Sequence, residues 1–416
     1  MPAMGHYQGA KASVTDCGTA RRGEQSEYRK GVTFPMFTRL YIHIPFCLHK
    51  CPYCAFISQE GSPARREAYV ELLQAEMRLA HAGIPSGRPL ESVYFGGGTP
   101  SLLEPDQIGR ILSLADTLFS LLPHAEITLE ANPGTIDRAK LAGFRHSGVN
   151  RLSLGVQSLD DRMLASLGRI HSAAQAEQAV KAARATGFAN IGIDLIHALP
   201  GQTMEMWRHD LERALDLAPE HLSVYGLTIE EGTPFAQRYT HDRDLPDEDL
   251  SADMFLAADD LLGAAGYEHY EIANYALPGF RSRHNSGYWR RDGYLGLGAG
   301  AHSFLRGTGH GLRFANSSDV DEYAAAITRG QLPRQEMTEI SDDDALAEFM
   351  FLGLRMLDGV TFSDFRREFG MEMKERFGKE LEELTGLGLL AMDDRGVHLT
   401  RRGMLLSNQV FTRFLE

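Results

Sequence analysis

Between residues 39 and 227, short apolar segments alternate with amphipathic ones, and that alternation limits what the chain can become. The apolar segments are 39–44, 91–95, 125–130, 150–154, 190–195 and 221–226, each of strand length. Among them, Arg65–His81, Pro105–Leu121, Ser172–Thr186 and Met204–Leu217 carry helical periodicity. Asp106 and Ser172 stand where helix-starting caps belong, and Gly187 where a C-terminal cap belongs. A strand–helix–strand series gives a parallel sheet with right-handed crossovers. Six such units are two short of a closed (β/α)8 barrel. The expectation is therefore an α/β fold, an open and partial (β/α)6 barrel over residues 36–235.

Polar residues interrupt this pattern at one end of it. Gly96-Gly97-Gly98-Thr99-Pro100 follows the second strand. Its glycines let backbone N–H groups come close to a ligand, or serve a plain tight turn. Glu130-Ala131-Asn132 ends the third strand, Gly155-Val156-Gln157 the fourth, and Tyr225-Gly226-Leu227-Thr228 the sixth, while Asp194 lies in the fifth. Each alone could be a cap or a loop residue. Their recurrence at the C-terminal ends of successive strands marks the end of a βα barrel that carries its chemistry.

The first strand leads to that same end. Pro45 stops it, and Cys47, Cys51 and Cys54 follow with the spacing C-x3-C-x2-C. Three thiolates in eight residues can surround one inorganic centre, but fall one short of the set around an ordinary electron-transfer iron–sulfur cluster. On a cubane they leave one iron open to a small molecule. The alternatives are zinc, with His43 or His49 as a fourth ligand, or unligated thiols. A disulfide would leave one of the three over.

Composition narrows the class. The chain has 416 residues, 43% apolar and 24% charged, ordinary for a globular protein. A net charge of −14 with no polybasic run argues against nucleic-acid binding. No apolar run approaches a membrane span. Residues 1–35 lack both periodicity and an apolar signal core. They read as a disordered extension, or as sequence upstream of a start at Met36, and Cys17 within them is given no role. Free thiols suit a reducing compartment, so a cytoplasmic location is expected.

The cysteine loop resembles the signature of the radical S-adenosylmethionine (SAM) superfamily. The resemblance implies a [4Fe–4S] cluster on Cys47, Cys51 and Cys54, with SAM on the open iron and an external electron donor. By motif match, Gly98 and Thr99 resemble the segment at the methionine amino group, and Glu130 the carboxylate at the ribose or amino group. Gln157, Arg169, Asp194 and Thr228 match polar residues around the nucleoside. Tyr41 resembles the aromatic residue ahead of the cluster loop, and Phe56 the residue whose backbone meets adenine. His302 is a further candidate for lining the cavity.

The set YIHIPFC, GGGTPSLL, GVQS, LPGQT and HLSVYGLTIEEGTPF is similar to the coproporphyrinogen oxidase-like branch of that superfamily. This branch holds oxygen-independent coproporphyrinogen III oxidases and HemW-type heme chaperones. The oxidase carries a fourth cysteine two residues after the third, where this chain has Phe56. It also has a longer ordered N-terminal region. Both differences favour a heme carrier that delivers heme to an acceptor protein, with radical decarboxylation as the alternative.

Residues 236–335 read as a barrel extension. Within them His284-Asn285-Ser286-Gly287-Tyr288-Trp289 resembles the branch's heme-associated motif, which makes His284 a candidate axial ligand and Tyr288 and Trp289 candidate porphyrin contacts. Read without the motif, His284 is a hydrogen-bonded histidine. From 336 the pattern changes to helices at Asp342–Leu357, Thr361–Phe369 and Met373–Leu384. Two strand-like pieces follow, Leu389–Met392 and Val397–Thr400, and then a helix over Thr400–Phe414. This resembles a winged-helix arrangement but is acidic, so it reads as a lid or packing domain rather than a nucleic-acid reader. A homodimer through this domain is compatible with that layout.

Overall fold

A computed structural model describes residues 37–84, 88–240, 245–307 and 309–415. The expectations for residues 1–35, Cys17 and a start at Met36 lie outside these residues. The six expected strands are present as β1 (Arg39–Ile44), β2 (Leu90–Gly97), β3 (Leu121–Ala131), β4 (Arg151–Gln157), β5 (Ile191–His197) and β6 (His221–Gly226). They lie side by side in chain order, and each neighbouring pair is parallel.

The following region enlarges this sheet on both flanks. A hairpin of β7 (Glu268–Glu271) and β8 (Asn274–Ala276) joins through β8, which runs antiparallel to β6. On the other flank β9 (Tyr294–Leu297) adds a parallel strand against β1, which the sequence reading did not assign. Three antiparallel strands continue outward: β10 (His302–Leu305), β11 (Leu312–Asn316) and β12 (Arg334–Glu339). The resulting 12-stranded sheet has no pairing between its end strands β12 and β7, so the partial barrel stays open.

The two faces of the sheet differ by strict alternation. Leu40, Ile42, Val93, Phe95, Leu129, Leu152, Ile193 and Leu222 are buried and belong to one apolar core under the helices. The residues between them are polar on strand after strand: Tyr41, Ser92, Tyr94, Thr128, Glu130, Arg151, Ser153, Asp194 and Ser223. Reading the strands as plain apolar segments concealed this second, polar face.

One cap differs from expectation. Helix 105–119 begins at Glu104, because Pro105 takes the first helical position and the Gln107 side chain reaches back to the Glu104 N–H at 2.7 Å. Asp106 sits in the first turn and pairs with Arg110. Ser172 caps its helix as expected, in a reciprocal pair with Gln175. Gly187 follows the other end of that helix at φ +91°, a conformation costly for other residues.

The C-terminal region has its own apolar cluster, built around Met350, Phe365, Phe377, Leu381 and Val410. Helices 342–353, 362–369 and 373–386 pack with a small antiparallel sheet, the winged-helix-like arrangement expected. The sheet has three strands rather than two, since β13 (Val360–Thr361) joins β14 (Leu390–Met392) and β15 (Gly396–Leu399). The last helix is broken at Leu406 into 401–405 and 407–412. Among the described residues no helix is long and apolar enough to cross a membrane.

Candidate functional site

The loop after β1 is pinned at both ends before it carries anything. Gln59 N–H donates to Pro45 O at 2.8 Å, and Cys47 N–H to Gln59 O at 3.0 Å, so residues 46–59 close on themselves. His43 braces the loop from below. Its Nε2–H donates to Ile57 O at 2.9 Å, and its Nδ1 accepts from the Tyr41 hydroxyl at 3.0 Å. Burial pushes the His43 pKa down to about 4, which keeps the neutral tautomer that this arrangement needs.

The glycine stretch forms the second clamp. Gly98 N–H donates to Ile44 O at 2.9 Å and Thr99 N–H to Phe46 O at 2.7 Å. Gly97 N–H points to Glu130 Oε2 at 3.3 Å. These N–H groups are therefore occupied: those of Gly98 and Thr99 hold the chain entering the cysteine loop, and that of Gly97 holds Glu130. Glycine is required there for approach, since a Cβ on Gly98 would lie 2.7 Å from Phe46 O.

Above the clamps lies a cavity of about 260 Å³. Cys47, Cys51, Cys54 and Phe56 line it from the loop; Gly98, Thr99, Glu130, Gln157, Arg169, Asp194 and Thr228 line it from the strand ends. All three thiols are unpaired and partly exposed. Thr99 Oγ1 donates to Cys47 Sγ at 3.5 Å, and Arg169 Nη1 to Cys51 Sγ at 3.6 Å. Burial pushes the Cys54 thiol up, and the neighbouring cysteines add to that shift. Two hydrogen-bond donors beside the sulfurs, a hydroxyl and a guanidinium, suit thiolates bound to a metal cluster.

The zinc alternative needs its ligands around one ion. Among the described residues no group of three or more His, Cys, Asp or Glu converges on a single-ion position. A tetrahedral zinc site brings its sulfurs to bonds of about 2.3 Å. A cubane instead takes each thiolate on a different iron, which suits three cysteines lining one cavity from a single loop.

The acidic side chains of the wall are held from behind. Tyr94 OH donates to Glu130 Oε1 at 2.8 Å, and burial raises the Glu130 carboxyl above its ordinary range. Ser153 Oγ reaches both oxygens of Asp194, at 3.1 and 3.2 Å. Arg169 Nη2 donates to Gly155 O at 2.6 Å, which fixes the guanidinium beside Cys51. Gln157 has φ +72°, uncommon for a side-chain-bearing residue, at a register shift between β4 and β5. A Cβ on Gly155 would lie 2.9 Å from Gln157 Nε2, so that glycine leaves room for the amide.

Two expected cavity residues stand apart. Tyr41 lies one layer below and acts through His43, and its ring faces that of Tyr94 with centroids 6.2 Å apart. His302 is exposed at the start of β10 and does not line the cavity.

The heme candidates also lie away from the cavity, on helix 283–289. His284 is fully buried, with Nδ1 2.8 Å from Ser92 Oγ and Nε2 2.8 Å from Tyr288 OH. Both ring nitrogens are engaged, so in this arrangement its lone pair is taken by a hydroxyl. Tyr288 packs edge-on against Tyr294 at 4.5 Å. The Arg355 guanidinium covers the Trp289 ring at 4.4 Å.

Lys50, Tyr53, Ser153 and Glu230 line the cavity without having been singled out from sequence, and Asn132 and Tyr225 were named only as parts of strand ends. Ser153 could have been found by the period of two that places polar residues on the inner face. Tyr53 stood in plain view between Cys51 and Cys54.

Residues 41–214 match the Radical SAM superfamily, and residues 340–406 match the HemN C-terminal domain. The heme chaperone HemW of Lactococcus lactis is 39% identical over 378 residues, covering 90% of this chain and 96% of that protein. This chain belongs to the HemW family of the radical SAM superfamily. The HemW of Bacillus subtilis and that of Escherichia coli are each 36% identical, again covering 90% of this chain, with 98% and 97% of theirs. The solved coproporphyrinogen III oxidase (HemN) of Escherichia coli shares the fold at a TM-score of 0.80 and 25% identity, over 92% of this chain and 91% of that one. Membership of the radical SAM superfamily implies a [4Fe–4S] cluster and SAM.

Proposed function

We propose that this chain is a heme chaperone. It holds a [4Fe–4S] cluster on Cys47, Cys51 and Cys54, binds SAM in the adjoining cavity, binds heme, and delivers the heme to an acceptor protein. The observation that carries this reading is the match to proteins named heme chaperone HemW at 36–39% identity along 90% of the chain. Phe56 supports it, since the oxidase has a cysteine at that position.

When bound, the cluster supplies an electron and an iron open to SAM. The protein's own groups do the rest. Glu130 and Asp194 offer carboxylate oxygens to hydroxyl and ammonium donors of SAM. Gln157 and Thr228 add neutral polar contacts, and Phe56 presents its backbone to the adenine. Tyr94 and Ser153 hold the two carboxylates in place from the inner face. Thr99 and Arg169 stabilise negative charge on Cys47 and Cys51. Tyr41 keeps His43, and through it Ile57, in position. His302, exposed and outside the cavity, drops out of the SAM set. An external one-electron donor is needed, and a reducing compartment such as the cytoplasm suits the thiols.

The competing activity is oxidative decarboxylation of a porphyrinogen, which the likeness to HemN keeps in view. Anaerobic incubation with SAM, reductant and coproporphyrinogen III separates the two. The expected outcome is intact propionate side chains. Protoporphyrinogen formed over many turnovers would replace the carrier reading with the decarboxylase.

A further inference from the structure

We propose that the side-chain amide of Asn132 donates a hydrogen bond to the carboxylate of SAM, which makes Asn132 a binding and specificity residue of the cavity. The proposal rests on the SAM-binding reading above and adds a donor to it.

The neighbours of Asn132 fix which way its amide faces. The residue follows β3, and its backbone is held on both sides. Its N–H donates to Ser101 Oγ at 3.2 Å, and its C=O accepts from the Thr135 N–H and hydroxyl at 2.9 and 2.8 Å. Its Oδ1 accepts from Gly134 N–H at 3.1 Å, and His171 Nδ1 lies 3.1 Å from the same oxygen. A backbone N–H can only donate, so the atom it meets is the oxygen and the NH2 group is the other branch. Among the described residues Nδ2 has no hydrogen-bond partner. Asn132 is partly exposed and lines the cavity.

Most other donors of the wall are spent inside the protein. Arg169 places Nη1 on Cys51 Sγ and Nη2 on Gly155 O. The N–H groups of Gly98 and Thr99 meet Ile44 O and Phe46 O, and the Thr99 hydroxyl meets Cys47 Sγ. Lys50 Nζ donates to Phe56 O at 3.0 Å. Glu130 and Asp194 are carboxylates, which suit the cationic and hydroxyl groups of SAM but not its carboxylate. Asn132 stands towards the cysteines. Ser101, which holds its N–H, is two residues from Thr99, and His171 is two residues from Arg169; Thr99 and Arg169 reach Cys47 and Cys51. A neutral amide donor pinned at this end matches the one anionic group of the ligand.

Anaerobic measurement of SAM affinity on cluster-reconstituted protein, beside its iron and sulfide content, tests this. Asn132→Asp keeps an oxygen for Gly134 N–H and replaces the donor by a carboxylate. It is expected to weaken SAM binding by roughly 10- to 100-fold, the worth of a hydrogen bond to a charged group, with cluster content unchanged. Asn132→Ser keeps a capping oxygen and adds no charge, but is too short to reach, so it should lose about tenfold. Decarboxylated SAM lacks the acceptor, so both variants should bind it no more weakly than the wild type does. Unchanged SAM affinity in both variants would overturn the proposal. So would an equal loss for SAM and decarboxylated SAM, or loss of the cluster. A wild type that binds no SAM would instead overturn the SAM reading, and the proposal with it.

Discussion

Gly98 shows how much of the site depends on a residue that offers no side chain. Its N–H and that of Thr99 hold the cysteine loop, and the space a Cβ would need is filled by the backbone carbonyl of Phe46 at 2.7 Å. Gly98→Ala must therefore displace the loop or the strand end. We expect it to lower the iron and sulfide content of anaerobically reconstituted protein well below the four of each per chain that a [4Fe–4S] cluster contains. Gly263→Ala is the matched control. It lies within helix 248–264 with no atom within 4 Å of the added methyl, so it should keep full iron and gain about 0.5–1 kcal/mol of stability. At this scale the sequence was informative about position and less so about role. The cysteines and the acidic strand ends were legible because their spacing and their place after strands are local properties. His284 was visible as a histidine beside aromatics, but its bond to Ser92 joins residues 192 positions apart, which no local pattern reveals.

Among the elements, helix 63–83 is joined to the far flank of the sheet by one buried carboxylate. Glu76 is 1% exposed and accepts from Gly298 N–H, Asn316 Nδ2 and Tyr323 OH at 2.8, 2.6 and 2.7 Å. Burial nonetheless raises its pKa to about 7, from 4.5 in the unfolded chain. A raised acid stabilises the fold through its protonated form. That contribution is present below pH 4.5 and is lost as pH rises through about 7. Glu76→Gln cannot ionise, so its stability relative to wild type should improve as pH rises from about 5 to about 8. Chemical denaturation of both proteins across that range checks it; a constant difference would contradict the shift. The six parallel strands were legible from their periodicity. The added strands of both flanks were not, since each is only 3–6 residues long and is stabilised by pairing rather than by pattern.

Over the whole molecule, the C-terminal region is tied to the sheet beside the 283–289 helix. Arg291, its side chain 3% exposed, pairs with Glu348 at 3.1 Å, and Arg313 reaches the same carboxylate at 2.9 Å. Backbone bonds from Ile272 to Arg355 and from Leu357 to Tyr270 run alongside, at 3.1 and 3.0 Å. Glu348→Ala would leave Arg291 buried beside its weaker partner Glu368 at 3.6 Å. Breaking a buried pair costs about 3–5 kcal/mol, so this variant should show faster hydrogen exchange at Ile272 and Leu357 while the cluster loop is unaffected. Exchange rates equal to wild type at both amides would show that the ion pairs do not hold the interface. The proposed function requires that the assembled protein carry heme and give it up. Hemin-loaded, cluster-reconstituted protein mixed anaerobically with an apo-haemoprotein tests it most directly, with the Soret bands of donor and acceptor followed in time. The expected result is about one heme bound per chain, and a loss from the donor matched by a gain in the acceptor. A protein that binds no heme, or that retains it while the acceptor stays empty, would contradict it.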